Sequence, residues 1–520
     1  MRQISRREFI GGAAAAAVLA ACSSGDDTSV PTTTSTRALV PTTTRRAAAM
    51  SGDPFGLGVA SGDPQAESVI LWARLAPDPL ADDGRGGMPA DPVDVTWEVG
   101  TDDRFNKVVT RGVTTAEPDV GHSLHVEAEA LEPATDYFYR FTVQEWTSPV
   151  GRTRTLAAAS DMPERFALAI ANCQMLDTGR YGAYRHMVDE DVDLVMHLGD
   201  YIYEYPGPRA LPARVPESLA DFRLRYACYR ADPDLQAAHA RFPFVCTWDD
   251  HEVLNNYMGD NVLDGRPPEQ VRELRAAAYR AWWEYIPVRV PAPESADVPI
   301  YRHIDIGDLA RLYMLDTRQH ADEPPCRDGG ATEDFGNCAA RVADRSLLGA
   351  DQEQWFSEAA SASAARWNVV GNPVALSGID GGTDVSAYYL DSWDGFPEAR
   401  LRLLDALAGT HNPVILTGDY HAGMVLDAHR RPFEPASDIV ATEFLSPPIS
   451  SALFPADVSA RTPQLRQQIN AHGYLTVTVE RDQLTAAFRV LEDVADADSA
   501  VRTEATWHVN AGMPRAVARS

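Results

Sequence analysis

Four short apolar runs, each ending in residues that bind metals, constrain this chain more than any other feature. Residues 193–196 lead into His197-Leu198-Gly199-Asp200-Tyr201-Ile202-Tyr203, and 166–170 lead into Asn172-Cys173-Gln174. Residues 243–247 lead into Trp248-Asp249-Asp250-His251-Glu252, and 413–417 into Gly418-Asp419-Tyr420-His421. Each run has the length of a buried strand. In open α/β sheets, ligands collect beyond the carboxyl ends of such strands. Gly199 permits a sharp turn there, which leaves Asp200 at the edge and lets the Tyr203 phenol turn back toward it. A carboxylate and a phenol at one point suit a hard, highly charged metal. For one stretch alone, a turn aspartate followed by packing tyrosines is an equal explanation. Four strand ends carrying Cys, Asp, Tyr and His are hard to explain as four coincidences.

The 520 residues predict two or more domains, one of them large. A net charge of −29 argues against binding nucleic acid or anionic membranes through a basic face. It also repels anionic substrates at long range, so a site for them needs local positive charge, such as a metal cluster.

The N-terminus reads as an export signal. Ser5-Arg6-Arg7-Glu8-Phe9-Ile10 is a twin-arginine motif, and 11–21 is a short apolar stretch of small residues rather than a membrane span. Leu19-Ala20-Ala21-Cys22 resembles a bacterial lipobox, with Cys22 as the lipidated residue; plain secretion with cleavage nearby is the alternative. Residues 23–53, rich in Thr, Ser and Pro, read as a disordered tether. The expected product is a secreted protein or a cell-surface lipoprotein, touching the membrane only through its anchor.

Five cysteines follow Cys22, and an odd count in an oxidising compartment leaves one thiol without an internal partner. Cys326 and Cys338 enclose a Gly-rich loop and are expected to pair. Cys228 and Cys246 flank one helical segment and are expected to pair as well. Cys173 is then left over, beside the other candidate ligands, where a thiolate ligand accounts for it.

Residues 54–157 predict a small all-β domain. Residues 131–137 resemble the corner of a fibronectin-type sandwich, with Tyr137 as a tyrosine-corner residue. Asp63 and His122 read as turn or surface residues rather than ligands. Residues 163–512 predict an α/β domain. Helices are expected over 181–190, 219–240, 269–286 and 351–365, and strands over 310–316 and 367–370. Residues 473–490 read as two strands joined at Arg481-Asp482. No internal repeat is visible.

Together, Ala171-Asn172-Cys173-Gln174, Gly199-Asp200-Tyr201-Ile202-Tyr203, Thr247-Trp248-Asp249-Asp250-His251-Glu252, Thr417-Gly418-Asp419-Tyr420-His421-Ala422 and Glu443-Phe444-Leu445-Ser446 resemble the PhoD-type alkaline phosphatases of the calcineurin-like metallophosphoesterase superfamily. The resemblance covers residues 54–510. It implies a two-sheet metallophosphatase sandwich flanked by helices, behind a small β domain. It further implies Fe3+ held by Cys173 and Tyr203, with Asp200 bridging to a neighbouring metal. Asp250 would ligate the second site, where the family is known for Ca2+; Asp249 is the weaker match. Asp419 would face the second site and His421 the iron side. Asn172, Asn372 and Arg180 are expected phosphate contacts, although surface ion pairs are the stronger reading of Arg180 and Arg185.

The donor types agree independently. Thiolate and phenolate favour ferric iron, whereas carboxylates and carbonyls favour calcium. The implied reaction is attack on phosphorus by an oxide or hydroxide, with His251 steadying or protonating the leaving oxygen; His251 as an orienter of Asp250 is the rival role. The expected activity is release of phosphate from small organic phosphate monoesters, and from diesters as well, by a monomer. The alternatives are a phosphodiesterase or phospholipase D-like enzyme of the same fold, or a cell-surface binding protein with a structural metal site.

Overall fold

The computed structural model describes residues 50–326, 335–454 and 456–519. The twin-arginine segment, Cys22 and most of the expected tether lie outside the described residues. Everything described falls within one compact unit. No helix among the described residues is long and apolar enough to cross a membrane.

Two sheets face each other across an apolar core. In the first, Arg165–Ala171, Leu194–His197 and Pro243–Cys246 run parallel. In the second, Ala310–Met314, Trp367–Asn372, Pro413–Thr417 and Ile439–Leu445 run parallel. These strands are buried along nearly their whole length, the pattern expected when both faces of a parallel sheet are covered. Ile170, Met196 and Val245 from one sheet share a cluster with Leu312, Met314, Val369, Leu416 and Phe444 from the other. All four runs singled out in the sequence are strands, and their carboxyl ends point to the same end of the sandwich. The expected hairpin after residue 473 forms as Gly473–Glu480 and Gln483–Leu491, and Val501–Asn510 extends it.

The N-terminal segment is all-β, as expected, and part of it joins the large sheet. It does not stand apart: Val59–Gly62 pairs in parallel with Pro243–Cys246, and Val69–Arg74 and Ser123–Ala128 continue outward, so the first sheet reaches ten strands. Left open, the edge of Pro243–Cys246 would present unpaired backbone groups. The remaining strands, Val93–Gly100, Val108–Ala116, Asp136–Val143, Trp146–Thr147 and Gly151–Arg154, form a five-stranded sheet. Val95, Tyr139 and Phe141 of this sheet pack on Val69 and Leu71 of the large one. The Tyr137 hydroxyl accepts the Glu132 N–H at 2.8 Å, the bond a tyrosine corner makes. Asp63 and His122 do sit in left-handed bends, but both are buried rather than on the surface. Asp63 pairs with Arg302 and accepts the Arg289 N–H.

The helix expected over 219–240 is two helices, Leu219–Arg230 and Pro233–Arg241. Asp232 caps the second through the N–H groups of Asp234 and Leu235, and Pro233 cannot continue the first. This break removes the basis for pairing Cys228 with Cys246, and both are free and buried. The Cys228 sulfur accepts the Leu211 N–H, while Cys246 sits on its strand near Arg302 and Asp63. Cys326 and Cys338 do form a disulfide.

Candidate active site

The strand ends deliver their side chains through strained turns. Cys173, Asp200, Asp419 and His421 all have φ between 52° and 61°, a region that non-glycine residues seldom occupy. Such strain persists where the surroundings over-determine it, typically at functional sites. Gly199, at φ 106°, has a second reason to lack a side chain: a Cβ there would come within 2.5 Å of the Asp249 Cβ. Its absence lets the loops after two neighbouring strands close on each other. Glu252, fully buried, laces those loops together by accepting the N–H groups of Asp200, Tyr201 and Asp249. Glu443 does the same for the second sheet, accepting from Leu376, Ser377 and the Thr417 hydroxyl.

The candidate ligands converge in three overlapping groups: Cys173, Asp200 and His421; Asp200, Asp250 and His251; and Asp249, Asp250 and Asp419. Within each group the ligand atoms lie within 4.8 Å of one another. Asp200 joins the first two groups and Asp250 the last two. Tyr203 donates its hydroxyl proton to Asp200 Oδ2 at 2.6 Å and lies 3.2 Å from His421 Nε2; Ser451 donates to it. Tyr389 donates to Asp419 at 2.7 Å.

The donor set fits cations. Asp200 Oδ1, Asp249 Oδ2, Asp250 Oδ1 and Asn172 Oδ1 are buried with no hydrogen-bond partner, which is costly unless something else binds them. Burial, followed by the Asp200, Asp419 and Asp249 carboxylates, pushes the Cys173 thiol well above its usual range. Burial and neighbouring carboxylates do the same to Asp200 and Asp419. A bound cation reverses this electrostatic logic and deprotonates a coordinating thiol outright. Burial, reinforced by His251, pulls His421 down to about 4, so its imidazole is neutral and able to ligate.

His251 differs from the ligands. Its Nδ1 lies 2.7 Å from Glu204, leaving Nε2 toward Asp250 at 3.9 Å. Burial alone would lower its pKa, but Asp250, Glu204 and Asp200 together hold it well above the usual value. Its ring lies 4.1 Å from that of Tyr203.

Of the expected phosphate contacts, the two asparagines have their amide donors occupied. Asn372 gives its amide N–H groups to Val374 and Thr417 and accepts from Trp393. Asn172 gives its amide N–H groups to the Ser446 and Pro447 carbonyls, and its free oxygen is an acceptor that suits a cation rather than a phosphate. Arg180 is exposed. Arg185 takes its surface alternative, an ion pair with Asp498.

Arg318 is a site residue the sequence reading missed. It is fully buried, bonds Asp249 and Asp391, and lies 3.6 Å from Asp250. It follows the strand Ala310–Met314 just as Asp200 follows its own, so the same run-then-polar pattern marks it. A buried charge stripped of its partner costs about 3–5 kcal/mol. Arg318→Leu is therefore expected to melt well below wild type when metal-free, and to recover more of that loss on adding divalent cations. Equal melts of the metal-free proteins would show that Arg318 does not balance these carboxylates.

Parallel strands from two sheets bring carboxylates, a thiol, a phenol and imidazoles to one point, a candidate cation-holding centre. The PhoD-like phosphatase family model matches residues 168–488, and the model of the PhoD-like phosphatase N-terminal domain matches 41–157. Alkaline phosphatase D of Bacillus subtilis (strain 168) is 41% identical over 476 residues, 87% of this chain and 80% of that protein. A solved structure of PhoD matches with a TM-score of 0.86 at 39% identity, covering 91% of this chain and 94% of that one. The chain belongs to the PhoD-like phosphatase family and is a phosphoester hydrolase.

Proposed function

We propose that this protein is an extracytoplasmic, metal-dependent phosphoesterase of the alkaline phosphatase type. It acts as a monomer, releasing phosphate from small phosphomonoesters and also cleaving diesters. One observation carries the reading: Asp200 and Asp250 link three ligand groups in a chain, and several of their buried oxygens have no hydrogen-bond partner. In this reading Cys173, Tyr203, His421 and Asp200 hold Fe3+, and Asp200, Asp250 and Asp419 hold Ca2+. Bound there, the metals supply the positive charge that neutralises a phosphoryl group and its leaving oxygen. The protein's own part is to fix and shield that charge. Glu204 accepts from Nδ1 of His251, and when the ring is the doubly protonated imidazolium its Nε2–H faces the site, while Arg318 offsets the carboxylates that no metal neutralises. The name of the Bacillus subtilis relative supports the activity, and the Cys326–Cys338 disulfide supports an oxidising compartment. The Arg6-Arg7 motif and Cys22 support twin-arginine export and a lipid anchor.

The test is metal removal followed by separate restoration of Fe3+ and Ca2+, with mono- and diester hydrolysis compared at each stage. Restored turnover needing both ions supports the assignment; full turnover without metal ends it. A companion measurement reads the iron ligands directly. Thiolate and phenolate ligands give ferric iron a visible charge-transfer band, so Cys173→Ser is expected to bleach or shift the colour and lower activity. An active, colourless wild type free of iron would remove Cys173 and Tyr203 from the ligand set.

A further inference from the structure

We infer that Arg225 is a positioning residue of this hydrolase: with Tyr229 it holds the main chain of Tyr203 on both sides, and so sets where the Tyr203 phenol stands beside Asp200. The inference rests on the reading of Tyr203 as an iron ligand. Arg225 lies on the helix Leu219–Arg230 and is fully buried. A guanidinium has five N–H donors. Here all of them go to main-chain carbonyls of one loop. Nη1 donates to Tyr203 and, at 3.0 Å, to Tyr205; Nε donates to Leu211 at 3.0 Å; Nη2 donates to Pro212 at 2.9 Å and to Arg214 at 3.0 Å. Burying a charge is costly unless it is well hydrogen-bonded, and this one spends every donor on the shape of the loop.

Tyr229 stands one turn further along the same helix face. Its hydroxyl oxygen accepts the Tyr203 N–H at 3.0 Å and the Leu176 N–H at 3.3 Å. Leu176 lies just beyond Cys173, so one buried phenol ties the loop after Cys173 to the loop that carries Tyr203. The N–H and the C=O of Tyr203 are thus both fixed to one helix, while its own hydroxyl meets Asp200 at 2.6 Å and Ser451 at 2.8 Å. Without the guanidinium, the carbonyls of an irregular loop face the interior unpaired, and the loop must move to satisfy them. A displacement of about 1 Å at a reacting centre is enough to cost roughly 10²-fold in rate.

The experiment uses the metal-loaded enzyme with Arg225→Met, Tyr203→Phe and the two combined. It reads the visible absorption per bound iron, and kcat and KM for nitrophenyl phosphate. Arg225→Met is expected to shift and weaken the band and to lower kcat about 10²-fold, with KM little changed. Once Tyr203→Phe has removed the phenolate, Arg225 has nothing left to position. The combined variant is therefore expected to stay within about twofold of the slower single variant. Arg225→Lys keeps the charge but offers only three donors, so it serves if the Met variant does not fold, with the same shift in smaller measure. An unchanged band and kcat in the Arg225 variants overturns the inference, as does a combined loss equal to the product of the two single losses. A wild type that turns over without a visible iron band removes this inference and leaves the phosphoesterase reading intact. A metal-loaded wild type without turnover removes both.

Discussion

Asp200→Asn is expected to reduce turnover by about three orders of magnitude or more with little loss of fold, because a paired metal centre contributes several kcal/mol to the transition state and each 1.36 kcal/mol is tenfold. Asp200 is the one carboxylate common to the group around Cys173 and the group around His251. Its Oδ2 accepts from Tyr203, and its Oδ1 has no protein partner. An amide of the same shape keeps one acceptor for the Tyr203 hydroxyl but removes the negative charge that two cations would share. The backbone would stay in place, since Glu252 accepts the Asp200 N–H whatever the side chain. Steady-state rates, metal content and thermal melts of the same preparations check the three parts separately. A variant that keeps more than about a tenth of its rate would place the chemistry elsewhere.

The parallel core and the candidate ligands at its carboxyl ends were legible because buried strands leave continuous apolar runs, and each run stops where the polar loop begins. That pattern located Cys173, Asp200, Asp250, Asp419 and His421 without any three-dimensional information. It was silent where function depends on contacts between distant segments. Arg318 meets Asp249 and Asp391, 69 and 73 residues away, and no local spacing announces those partners. The turns at Asp63 and His122 were expected, but their burial was not legible, because the segments that cover Asp63, around Arg289 and Arg302, lie far away in the sequence. The merging of the N-terminal strands into the large sheet was invisible for a related reason. Val59–Gly62 reads as an ordinary strand, and its partner Pro243–Cys246 lies about 180 residues downstream. The mistaken Cys228–Cys246 pair came from reading through Asp232-Pro233, a helix start that local signals do announce.

His251 separates two roles that geometry alone leaves side by side. A general acid matters most when the leaving group is poor, since that oxygen needs a proton as its bond to phosphorus breaks; a positioned acid contributes typically about 10²–10⁴-fold. A nitrophenolate is already stable as an anion, so the contribution shrinks for nitrophenyl phosphate. His251→Ala is therefore expected to lower turnover of an alkyl phosphate far more than turnover of a nitrophenyl phosphate, with metal content unchanged. Glu204→Gln should reproduce the trend in weaker form. It keeps an acceptor for Nδ1 but loses the charge that helps hold a proton on His251. Equal losses on both esters would argue that His251 positions substrate instead. Loss of metal from the variant would make it a ligand, in keeping with its place 3.9 Å from Asp250, and the acid role would fall.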